Sequence, residues 1–172
     1  PSVLKVSARQ RGDWITVARA GGKDMDFALD VIDNGYLDIY EIPLAKGRNF
    51  NPDLATDSTK SVLVNESFVK AAGWKDGIGE IVDFFYDNRK YSVIGVVKDY
   101  HYGSLGQKIM PQLFIMDPQY NYGKLVIKIK PENTSATLKH IETVYKKFQP
   151  FEPYQYQFKD EENLKQYESE NK

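Results

Sequence analysis

Residues 124–130, "KLVIKIK", and the run that follows them constrain the fold more than any other part of the chain. Leu125, Ile127 and Ile129 alternate with Val126, Lys128 and Lys130, the two-residue period of a half-buried strand, and Pro131 ends the pattern. Beyond it Leu138, Ile141, Val144, Tyr145 and Phe148 recur at helical spacing. Thr134 or Ser135 is available as N-cap, and Lys146 and Lys147 sit in the last turn, where the helix dipole favours cations. A further strand pattern, "YQYQF", follows Pro150 and Pro153. Strand, amphipathic helix and strand predict a βαβ-like unit whose helix covers a sheet face. The tail, "KDEENLKQYESENK", keeps helical propensity with too few apolar residues to bury a face, so it calls for a continuation or a partner.

The remainder is rich in strands, which makes the fold class α+β. "WITVARA" and "MDFALDVID" flank the turn-rich "GGKD" as a hairpin. Tyr36, Leu37 and Tyr40 fall at helical spacing before Pro43, predicting a short helix and then a turn at Gly47. "NPDLATDSTK" is a polar connection, read as the boundary between lobes. "SVLVNESFVKAAGW" reads as a strand, an Asn65 N-cap, a helix presenting Phe68, Val69 and Ala72, and a stop at Gly73. "IVDFFYDNRKYSVIGVVKDY" predicts two strands about an Asp87-Asn88 turn, and "PQLFIMDP" one more. The opening run Pro1-Ser2-Val3-Leu4-Lys5-Val6 is strand-like from its first residues, as in a piece of a longer protein.

Composition excludes several function classes. Lysine and arginine number 23 against 24 acidic residues, a formal net charge of -1, which leaves no field to hold nucleic acid or an anionic membrane. With no cysteine there is no disulfide, Cys-ligated zinc or thiol nucleophile. No apolar run approaches the ~20 residues of a membrane span. At 41% hydrophobic and 13% aromatic the 172 residues can still build a sizeable core.

Candidate chemistry centres on "VVKDYHYGSL". Asp99 and His101 stand two apart, so on a strand they share a face and could hold a metal or act as base and orienter. No third ligand is apparent, and His140 belongs to the helix of the last part. The competing reading is a strand end, with Asp99 turning the backbone, Tyr100 and Tyr102 packing, and Gly103-Ser104 making a turn. "GWKDGIGE" lacks the lysine-serine pair of a phosphate loop and reads as a helix C-cap and a turn. Asp160-Glu161-Glu162 lacks the alternating ligands of a calcium loop and reads as a solvated helix start. Asn65-Glu66-Ser67 and Asn133-Thr134-Ser135 fit the glycosylation pattern but read better as helix starts. The 12 tyrosines would suit a glycan or peptide platform if several were exposed together, although most are expected in sheets and core.

The ordered series "VIDNGYLDIYEIPLAKGRNF", "SVLVNESFVKAAGW", "IGEIV", "YSVIGVVKDYHYGSLGQKIMPQLF" and "FKDEENLKQYESE" resembles the extracytoplasmic core domain of FtsX-like and MacB-like permeases of ABC transporters, in its Bacteroidetes version. The resemblance covers most of the chain. It implies a porter-like α/β lobe from residues 1–49 and 121–172, without the first strand and helix usual in the family, and an inserted β-rich, sabre-like lobe at 50–120. It implies a periplasmic, non-catalytic domain, without a cofactor, that couples ATP-driven motion of membrane helices to transport or signalling. The implied partners are a separate cytoplasmic ATP-binding subunit, a second permease copy and a periplasmic protein, with transmembrane helices flanking the domain in its parent. Lys98, Asp99, Tyr100, His101, Ser104 and Leu105 would then be a structural signature or an interface. The isolated domain is expected to be a monomer. The rival readings are a secreted glycan- or peptide-binding module and a metal enzyme at Asp99 and His101.

Overall fold

The computed structural model describes residues 2–12, 14–100, 108–117, 119–120 and 122–159. Strands β1 (Val3–Arg9), β2 (Trp14–Ala20) and β3 (Lys23–Val31) lead to helix α1 (Tyr36–Ile39) and strand β4 (Leu44–Gly47). Strand β5 (Ser61–Asn65), helix α2 (Glu66–Ala72), β6 (Ile81–Phe84), β7 (Arg89–Val97) and β8 (Gln112–Ile115) follow, then β9 (Lys124–Ile129) and helix α3 (Thr134–Phe148). The class is α+β, as expected.

The hairpin of β2 and β3 closes through Gly21 and Gly22 at φ 60 and 77, from which Ala20 pairs with Lys23. A two-residue turn with both φ positive matches the natural twist of paired strands, and glycine adopts it without strain. Seven strands form one sheet in the order β4-β7-β5-β8-β3-β2-β6, and β7 also pairs with β6, which closes the ring on itself. The 9-residue length of β7 permits this: Arg89–Ser92 lies against β6, and the stretch from Gly95 to Val97 lies against β4.

Alternation along the strands divides the apolar residues between two cores. Phe27, Leu29, Val31, Val62, Val64, Val93, Leu113 and Ile115 point inward, where α2 adds Phe68 and Ala72. Their neighbours Ile32, Leu63, Phe114 and Val97 form an outer core with Tyr36, Leu37, Ile42 and Phe50, so α1 and the loop after β4 cover the ring from outside.

Several sequence expectations change in the structure. The sheet runs across the boundary expected at residue 50, since β3 and β4 pair with β8 and β7. One compact unit comprises Lys5–Tyr100 and Lys108–Lys128, while the other takes in the N-terminal end of β1 through Leu4 and the chain from Ile129 onward. The connection "NPDLATDSTK" is polar because it folds over Asp57, whose side chain is fully buried and accepts hydrogen bonds from Arg48, Asn51 N–H and Ser61. Polarity there marks a surface loop organised by one carboxylate. Gly47 ends a strand instead of making the turn. The N-cap of α3 is Asn133, at φ 59 with no side-chain cap bond, while the Thr134 hydroxyl donates to Pro131 O at 2.8 Å. "YQYQF" forms no strand among the described residues. Its rings still follow one another, with Tyr154 and Tyr156 centroids 5.8 Å apart and Tyr156 and Phe158 5.7 Å apart.

Candidate functional site

Two of the six residues singled out near "VVKDYHYGSL" are tied into neighbouring elements by their side chains. At the end of β7, Lys98 donates its N–H to Pro43 O at 2.9 Å and leaves its side chain exposed. Asp99 accepts from the Ser67 N–H at 3.0 Å and the Ser67 hydroxyl at 2.7 Å, and its own N–H donates to Glu66 Oε2 at 3.2 Å. The end of β7 and the first turn of α2 therefore satisfy each other's orphan groups, as in a capping box assembled from two segments. Asp99 is committed to this clamp. His101, Ser104 and Leu105 lie outside the described residues, so the Asp99–His101 pairing does too. His140 is exposed on α3, and no group of three metal-capable side chains occurs among the described residues.

Tyr100 leads into a cluster that sequence reasoning missed. Its hydroxyl lies 3.4 Å from that of Tyr36, and Arg9 stands over the Tyr36 ring at 5.4 Å while pairing with Asp30 at 2.7 Å. Asp30 and Gln112 are each 1% exposed. Burial pushes the hydroxyls of Tyr36 and Tyr100 well above the ordinary tyrosine range, so both stay neutral donors. Arg9 Nε and Gln112 Oε1 have no hydrogen-bond partner among the described residues, the kind of buried atom that ordered water usually meets. The signal available in the sequence was Asp30, an acidic residue within the strand run "MDFALDVID", where a partner had to exist.

A shallow open groove of about 300 Å³ is lined by Leu37, Asp38, Glu41, Ile42, Pro43, Leu44 and Asn49. Its two carboxylates are already engaged, Asp38 by Lys5 and Glu41 by Lys128. No tyrosine lines it. The arrangement contains packed and paired groups, with no nucleophile, base and orienter brought together among the described residues.

Comparisons with known proteins identify the family and the fold. The sequence profile of the MacB-like periplasmic core domain matches residues 1–144. The periplasmic region of MacB from Actinobacillus actinomycetemcomitans superposes with a TM-score of 0.66 at 22% identity, over 86% of this chain and 68% of that one. The extracellular domain of the noncanonic ABC-type transporter YknZ from Gram-positive bacteria gives 0.61 at 17% identity, over 79% and 70%. A domain of a protein described as a permease from Porphyromonas gingivalis gives 0.63 at 16%, over 86% and 70%. No curated protein sequence matches. With the family profile covering most of its length and the same fold in these structures, the chain belongs to the MacB-like periplasmic core domain family, as an extracytoplasmic domain of an ABC transporter permease.

Proposed function

We propose that the domain is a non-catalytic transmission element, which couples ATP-driven movement of membrane helices to transport or signalling outside the membrane. The observation that carries this is the division of the chain into two compact units whose boundary falls inside β1 and β9. A compact body with a tightly packed core passes on a displacement as a rigid shift, because such cores switch arrangement more readily than they deform. In this reading ATP binds a separate cytoplasmic subunit, a second permease copy completes the transporter, and a periplasmic protein is the partner. The exposed Lys98 side chain then faces a neighbour, while Asp99 and Tyr100 serve as structural signature. His101, Ser104 and Leu105, which lie outside the described residues, are assigned to the same signature or interface. Nothing lining the groove at α1 favours the alternative of a glycan- or peptide-binding module.

The test uses the full-length permease with its ATP-binding subunit in lipid. This domain contains no cysteine, so Lys23→Cys at the exposed start of β3, in a permease with any cysteine elsewhere replaced, gives one spin label per copy. The label-to-label distance between the two permease copies is expected to shift on addition of ATP. An unchanged distribution in a transporter that hydrolyses ATP would sink the transmission reading.

A further inference from the structure

Among the described residues, the β1–β9 ribbon is attached to the ring in a manner unlike any other strand pair. β1 and β9 pair with each other, and the one bridge from them to the ring among the described residues joins Arg9 to Ile32. No side chain of either strand belongs to the inner or the outer core. Ser7 is the only buried residue of β1, whereas Leu4, Val6 and Leu125 are 50%, 52% and 59% exposed. Lys5 reaches Asp38 and Lys128 reaches Glu41, so these lysines share the face turned to α1 and its loop. Strand alternation then puts Leu4, Val6, Leu125 and Ile127 on the other face.

What fastens the ribbon is mainly polar, apart from the Arg9 guanidinium standing over the Tyr36 ring at 5.4 Å. Asp33 accepts the Ser7 hydroxyl at 2.6 Å and the Ala8 N–H at 2.7 Å, and its own N–H donates to Ala8 O at 3.0 Å. The Gln10 N–H donates to Val31 O at 3.0 Å, and Arg9 pairs with Asp30 at 2.7 Å. On opening, water can replace nearly every one of these bonds, whereas a strand holding core side chains opens only by exposing apolar surface.

We propose that the β1–β9 ribbon is a detachable strap, held to the barrel by the Asp33 and Asp30 carboxylates instead of by core packing, and that it opens as one unit while the barrel stays folded. The exposed pairs of Lys5 and Lys128 contribute little to holding it. Local opening of this kind does not depend on what the domain transmits.

Native-state amide hydrogen exchange on the 172-residue chain tests it. Amides of β1 and β9 are expected to exchange together, with protection at least about tenfold below that of β3 and β7. Asp33→Asn is expected to lower strap protection by about a further tenfold with β3 and β7 unchanged, while Glu41→Gln leaves it within about twofold. If Asp33→Asn does not fold, Ser7→Ala, which removes one donor, is expected to give the same pattern with a loss of about threefold. Strap amides as well protected as those of β7, β1 and β9 responding separately, or a loss spread evenly over all strands would each overturn the proposal.

Discussion

Helix α2 runs for 7 residues and α3 for 15, yet the shorter is the better anchored. α2 has a side-chain cap at its start, where Asn65 accepts the Phe68 N–H, and a left-handed Gly73 at its end, whose N–H returns to Lys70 O. Its Phe68 is fully buried between Phe27 and Trp74, at centroid distances of 5.3 and 5.6 Å. α3 has no side-chain cap bond, Thr137 is its only buried residue, and Phe148 is 79% exposed. Length and an apolar stripe make a helix amphipathic; capping and a cavity shaped for its side chains make it part of a core.

The hardest test of that contrast is Phe68→Ala. Removing a fully buried ring that touches two other aromatics should cost about 3–5 kcal/mol in urea unfolding of the domain. A loss below about 1 kcal/mol would mean that the inner core collapses around the gap, and α2 would then be no better anchored than α3.

Next in size is Asn65→Ala. The Asn65 side chain accepts from Phe68 N and Gln112 N, each at 2.9 Å, and donates to Met110 O at 2.9 Å, so one residue caps α2 and pins the start of β8 to the end of β5. Losing a cap and stranding buried partners should cost about 2–3 kcal/mol, against a change within about 0.5 kcal/mol for Asn133→Gly at the start of α3. Glycine suits the φ of 59 at that position, and the asparagine side chain makes no cap bond to lose.

Smaller effects appear through pH. The Arg48 guanidinium, helped by Asn51 N–H and the Ser61 hydroxyl, holds the Asp57 carboxyl below the usual aspartate range, with burial pulling the other way. A carboxyl whose folded pKa is depressed contributes stability above its unfolded value of about 3.9, and that contribution disappears as pH falls through the folded value. Unfolding free energy should therefore drop as pH goes below about 4, and Asp57→Asn should flatten that slope. At the alkaline end burial pushes the Tyr91 hydroxyl up to about 12, so its contribution is complete below pH ~10 and is lost as pH climbs towards that value.

How much of this was legible depended on whether the signal was local. The Gly21-Gly22 hairpin, the Asn65 cap and the Gly73 stop each follow from a few adjacent residues and stand where the sequence put them, while the turn expected at Asp87-Asn88 also takes in Phe85 and Tyr86, since Phe84 pairs with Arg89. Closure of the ring could not be read, because it requires that β7 be shared by β6 and β4 at opposite ends, a pairing between residues far apart in the chain. The clamp at Asp99 joins positions 67 and 99, and the Arg9–Asp30–Tyr36–Tyr100 cluster joins four segments. "YQYQF" shows the converse: alternation gives a strand its faces, but only a neighbouring backbone makes it a strand.

The smallest expected effect separates an amphipathic pattern from a packed one. Phe148→Ser removes an aromatic ring from the last turn of α3, where 79% of the residue is exposed. In the domain alone the change should lie within about 0.5 kcal/mol, since little apolar area returns to water and serine costs a helix end almost nothing. The same substitution in the full-length permease supplies the contrast. If Phe148 is covered there, by lipid or by protein, the variant should lower the melting temperature of the transporter while leaving that of the domain unchanged. A large loss already in the isolated domain would instead show α3 to be as firmly packed as α2, and the difference between the two helices would reduce to their caps.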